Sequence, residues 1–153
     1  MVCAGMLTNH CLALIQPGRC LLETPVKCGP AANKFGEFIV KNLWDESVEF
    51  FDLLARGHWK APAIQQLQKD LVALSPEQRA IVRQCVLQSV GAGLLRFLFA
   101  LGEAHDFKEG IAVVVDGVDI VEQSDGLHGE SFGPDGWMAK YSKHPEGYPE
   151  YKT

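Results

Sequence analysis

A chain of 153 residues that is 47% hydrophobic and 22% charged has the composition of one globular domain with a single core. Its formal charge of -5 comes from 19 acidic against 14 basic residues, with no basic run. That leaves no phosphate-binding stripe and excludes nucleic acid as an expected ligand; mild acidity suits solubility or a basic partner.

Residues 1–34 hold Cys3, Cys11, Cys20 and Cys28, separated by seven, eight and seven residues. Structural zinc sites bring thiolates in close pairs, and none occurs here. A disulfide framework needs an oxidising compartment, yet Arg19, the first basic residue, follows the apolar run CLALI, the reverse of a signal peptide. With few charges and no helical period, 1–34 reads as a poorly structured leader or an upstream extension of the reading frame. A single domain is expected over 35–143, and a flexible tail over 144–153. The longest apolar stretch, VGAGLLRFLFALG, is interrupted by Arg96 and falls short of the roughly 20 residues of a bilayer span. A cytoplasmic protein without membrane contact is therefore expected.

From Phe35 onward Phe38, Ile39, Leu43, Phe50, Phe51 and Leu54 recur at helical steps, with Glu37, Lys41, Asp45, Glu49 and Asp52 on another side. This predicts an amphipathic helix ending near Arg56-Gly57. A shorter helix follows on Ile64, Leu67, Leu71 and Val72, with Pro62 in its first turn, where a missing N–H costs little. Ser75, Pro76 and Gln78 then form a capping-box signature for a third helix.

That third helix carries the doublets Ile81-Val82, Cys85-Val86, Ser89-Val90, Gly93-Leu94 and Phe97-Leu98. Its early polar residues Arg79, Arg83 and Gln88 give way to Leu95 and Phe99. The later turns are therefore expected to be buried nearly all round, with Cys85 a small core residue. Gly91 and Gly93 each cost roughly 1 kcal/mol against alanine in a helix interior, which implies close packing.

IAVVV, Asp116-Gly117 and VDIVE predict a hairpin in which Val115 faces Val118 and Val113 faces Ile120. Trp137, Ala139 and Tyr141 alternate with Met138 and Lys140 and predict a third strand. The fold class is α+β: about three N-terminal helices packed on a small antiparallel C-terminal sheet.

The stretch QSDGLHGESFGPDGW, residues 123–137, concentrates the chemistry. GESFG matches the hydrolase nucleophile-elbow pattern, but the elbow needs a parallel strand before it and a helix after, and GPDGW follows instead. Asp125, His128 and Glu130 could converge on a divalent ion or serve as an acid–base set, joined by Asp116 or Asp119; no calcium-loop or zinc-helix spacing is present. The simpler reading makes Ser124-Asp125-Gly126 and Pro134-Asp135-Gly136 two turns with glycine at positive φ, and Trp137 an anchor against the core. LHGESF between the turns is then left as a binding surface. His58-Trp59 is a second exposed candidate, though an interhelical tryptophan usually packs.

On SDGLHGESFGPDGW, together with LSPEQRAIV and LLRFLFAL, residues 35–143 resemble an uncharacterised family of small bacterial proteins, a domain of unknown function. The resemblance implies no activity. The functional expectation is a small protein-interaction domain, such as an inhibitor or immunity-type protein, binding a protein through Asp125, His128, Glu130, Phe132, Asp135 and Trp137. No cofactor is expected. The alternative is a small metal-binding or acid–base enzyme using Asp125, His128 and Glu130.

Overall fold

The structure, a computed structural model, describes residues 29–145. Cys3, Cys11, Cys20 and Cys28 and the last residues of the tail, 146–153, lie outside the described residues.

Helix α1 (Pro30–Ile39) opens on a proline, whose missing N–H has no intrahelical partner to lose. It starts ahead of the expected boundary at Lys34, since Ala31 and Ala32 are already core residues. Helical backbone continues through a π-helical segment (Val40–Asp45) into α2 (Glu46–Ala55). Val40, Trp44 and Val48 stand four residues apart and are all buried. In a regular α-helix each such step would rotate about 40° off the core, a drift that the wider π turn absorbs. The shifted face buries Ile39, Phe51 and Leu54 and leaves Phe38, Leu43 and Phe50 exposed, although all six were expected on one apolar stripe. The run ends at Arg56-Gly57, with Gly57 at φ 69°.

In α3 (Pro62–Ala73) Leu71 is buried, while Leu67 and Val72 are exposed. The residue that fixes this helix is Gln68, which is buried. Its amide oxygen accepts from Trp59 N at 2.7 Å and its amide nitrogen donates to Trp59 O at 2.6 Å, clamping the loop between α2 and α3.

Helix α4 (Pro76–Asp106) has both halves of the capping box: Gln78 N donates to Ser75 Oγ at 3.2 Å, and Ser75 N to Gln78 Oε1 at 2.9 Å. Leu87, Gly91, Leu94, Leu98, Leu101 and Ala104 form its buried face. Burial all round does not occur: Phe97 and Phe99 are 49% and 48% exposed, and Cys85 lies on the surface. The other elements cover only one side of this helix. Gly91 meets the expectation of close packing, because Trp44 lies 3.3 Å from where its β-carbon would stand; Gly93 faces open space.

The hairpin keeps its expected register. β1 (Val114–Val115) pairs with β2 (Val118–Asp119), Val115 opposite Val118, across a turn with Asp116 at φ 53° and Gly117 at φ 83°. Ile120 N donates to Val113 O at 3.0 Å, and Ile120 is fully buried. The third strand is replaced by helix: a short α5 (Leu127–Ser131) is followed by α6 (Trp137–Tyr141). Trp137 and Met138 are both in the core, and a strand would send these neighbours to opposite faces. The fold is mostly helical with a small two-stranded antiparallel sheet, α+β at the coarse level.

Two tryptophans lock the elements together. Trp137 lies over Gly36 of α1, where any β-carbon would overlap its ring, and meets the edge of Phe35 with centroids 6.3 Å apart. Beyond α6 the chain is held by buried Asp45, whose carboxylate accepts from Ser142 Oγ at 2.8 Å and from Lys143 N at 3.2 Å. Lys143 Nζ also donates to Glu49 at 2.9 Å; that hydrogen bond, then the ammonium charge, hold the Glu49 carboxyl below the usual carboxylate range.

Trp137→Ala is expected to lower stability by about 3–5 kcal/mol, whereas Phe97→Ala should cost less than about 1 kcal/mol, both read from urea titration. Equal costs would mean that the buried face of α4 is misassigned. Asp45→Ala should release the segment after α6, so that trypsin cuts after Lys143 sooner than in the unaltered protein while other sites keep their order of cleavage.

Candidate functional site: a cleft between α4 and α5

The residues before α5 form a tight turn. Gly126 N donates to Ser124 Oγ at 3.1 Å, Gly129 N donates to Gly126 O at 2.8 Å, and Gly126 itself adopts φ 152°. The turn aims α5 so that Leu127 enters the core, held between α1 and α4. His128, the next residue, emerges beside α4. Its ring stacks on Phe99, centroids 3.8 Å apart and planes 19° from parallel.

The stack borders a cleft of about 780 Å³. Its apolar lining is Leu87, Leu95, Phe99 and Phe132, and Gln88, Arg96, Glu103 and His128 supply its polar groups. A concave, mostly apolar surface with a few convergent polar groups is the usual form of a binding site. Among the described residues neither Arg96 nor Glu103 forms a hydrogen bond or ion pair with a side chain, so both charges are open to an incoming partner.

Of the six residues singled out from sequence, the structure brings His128 and Phe132 into this cleft. Glu130 instead accepts from Ser124 Oγ at 3.4 Å. Asp125 and Asp135 are exposed on the flanking turns, and Trp137 is a core residue. Asp125, His128 and Glu130 do not assemble: among the described residues no three His, Cys, Asp or Glu side chains are placed to hold a metal ion. Ser131 is buried, and its hydroxyl donates to Leu127 O at 3.2 Å, a helix-internal bond.

The cleft residues missed in the sequence all lie on α4: Gln88, Leu95, Arg96, Phe99 and Glu103. Phe99 was assigned to the core because helical periodicity marks apolar faces without saying which one is covered. The second candidate, His58-Trp59, belongs to a surface aromatic group in which Trp59 meets Phe50 at 5.9 Å and His58 at 5.2 Å.

Comparison with protein-family models, with curated proteins and with solved structures gave no match to this chain. Helix α4 is long and apolar enough to cross a membrane by length and composition, with 28% of its most apolar window buried.

The glycines of the stretch act in two ways. Gly126 is required by its φ, and a β-carbon there would also come 3.0 Å from the His128 ring. Gly136 was expected at positive φ but has φ -75°; it is needed because a β-carbon would meet the Phe132 backbone at 2.8 Å. Gly126→Ala and Gly136→Ala should each cost about 1 kcal/mol or more, while His128→Ala should stay within about 0.5–1 kcal/mol of the unaltered protein in thermal denaturation. A large loss in His128→Ala would make His128 a structural residue.

Proposed function

We propose that this chain is a protein-interaction domain that docks its partner in the cleft between α4 and α5. The observation that carries the reading is the half-exposed Phe99, stacked by His128 at the mouth of a mostly apolar cleft and flanked by unpaired Arg96. Aromatic anchors beside an arginine are the side chains that dominate binding energy in protein interfaces. Burying the remaining surface of Phe99, Phe132 and Leu95 would favour association at about 25 cal/mol per Å² before the costs of ordering. Arg96 and Glu103 would then fix orientation rather than affinity.

The alternative, a metal-dependent or acid–base enzyme centred on Asp125, His128 and Glu130, has less support. Glu130 is engaged by Ser124, and His128 faces an aromatic ring instead of the two carboxylates. Membrane insertion through α4 is disfavoured by Arg96 and Glu103 on its exposed face, since charged groups facing lipid are costly.

A photoreactive side chain introduced at Gln88, inside the cleft, tests the proposal in the protein's own cells. It should yield a discrete cross-linked species, which the same group at Lys69 on α3 should not. Adding Phe99→Ser should cut the yield at least about tenfold. No adduct at Gln88, or equal adducts from both positions, would remove the cleft as the docking surface.

A further inference from the structure

Resting on the reading of the cleft as a docking surface, we infer that its occupant is a second copy of this chain, packed antiparallel along α4. The exposed side of α4 carries Ile81, Cys85, Gln88, Ala92, Leu95 and Phe99. Their spacing alternates four and three residues, the rhythm of a helix seam that packs against another helix. Ile81 is 65% exposed, and Leu95 is the one member of this series that is half-buried. His128 of the short α5 covers one face of Phe99, and the other members of the series remain exposed or half-buried.

Charge decides which helix fits. Arg96 and Glu103 stand two turns apart, about 10 Å along the axis, within the same exposed face. In a parallel pair each would meet its own kind. In an antiparallel pair with a two-fold axis between Phe99 and Ala100, Arg96 of each copy faces Glu103 of the other. The two helices then overlap from Gly93 to Asp106, so Leu95 and Phe99 of the series lie in the contact and Ile81, Cys85 and Gln88 lie beyond the helix overlap. One symmetric contact thus forms two ion pairs and gives each charge one partner, the self-complementarity that a two-fold interface requires.

The same register matches side-chain sizes. It sets Phe99 opposite Ala100, so that a ring meets a methyl group on either side of the axis. It also sets Phe107, 73% exposed at the end of α4, opposite Ala92. A foreign partner could supply one such match; a second copy supplies all of them from residues already present. The apolar contacts provide the affinity. Exposed ion pairs contribute little net energy, and here they select direction and register.

The test is sedimentation of the full chain across about 1–100 µM, the affinity range of modest interfaces. The unaltered chain should pass from monomer to dimer within that range. Arg96→Glu alone and Glu103→Arg alone should each weaken the dimer at least about tenfold, because each sets like charges face to face twice. Mixing the two single variants should restore a one-to-one dimer, and the double variant should again pair with itself. Recovery on mixing would not follow from a loss of folding.

A dimer indifferent to either charge reversal would overturn the inference and place the contact elsewhere. A chain monomeric throughout, whose photoreactive group at Gln88 still traps a protein of different mass, would overturn the second copy and keep the cleft as a docking surface. A monomer with no adduct at Gln88 would overturn both. A monomer that instead floats with vesicles of phosphatidylcholine and phosphatidylserine would assign the exposed face of α4 to lipid.

Discussion

The fold depends on the missing β-carbon at Gly36. Trp137 occupies the space directly above it, and no other residue type at position 36 leaves room for the ring. This contact ties the start of the described chain to its end, across a hundred residues of sequence, and buries the largest apolar side chain of the C-terminal segment. A second tryptophan repeats the device less tightly: Trp44, in the π-helical segment, rests against Gly91 of α4. The two rings join α1, α4 and α6 into one core. Between them Ile120, Leu127 and Met138 supply the remaining anchors.

That arrangement explains how a segment with so little regular structure stays in place. From Val113 to Tyr141 the chain makes two-residue strands, single helical turns and glycine bends, none of which could persist alone. Its order comes from burial at four side chains and from Asp45, which receives the backbone of Lys143 beyond the last helix. His128 is positioned as a by-product. Because Leu127 must enter the core at a turn fixed by Gly126, the next side chain has to leave it on the side of α4. The cleft is the space between a residue that is anchored and a helix that is not covered.

Local signals were legible in the sequence where a few adjacent residues decide the outcome. The Ser75–Gln78 capping box, the Asp116-Gly117 turn with its valine register, and the end of α2 at Arg56-Gly57 all stand where the chain chemistry puts them. Reading failed where the outcome depends on what lies opposite. Trp137 to Tyr141 alternates as a strand would, yet five residues cannot distinguish that pattern from a helical turn that buries Trp137 and Met138 together. Phe38, Leu43 and Phe50 were placed in the core on a 3.6-residue period that the π segment interrupts. Gln68 gave no signal, because a buried glutamine that grips a backbone peptide looks like any polar surface residue. Of the site, His128 and Phe132 were found, as side chains left over once the turns were explained; Arg96, Phe99 and Glu103 were lost to the assumption that an apolar helix is a buried one.

The exposed side of α4 follows from how the chain is distributed. The helix is 31 residues long, and α2, α5 and the turn after the hairpin contact it. These elements are enough to cover one face, which carries Leu87, Leu94, Leu98 and Leu101. A helix that needed only that face would carry polar residues on the other, as its first turn does with exposed Glu77 and Gln78. Past Gln88 the outward positions instead become Ala92, Phe97, Phe99 and Ala100, while the charges shrink to Arg96 and Glu103. Small residues alternating with rings leave hollows beside knobs, and two opposite charges two turns apart give the surface a direction. A face built only for solvent has no use for either feature, and both become useful once another helix lies against it.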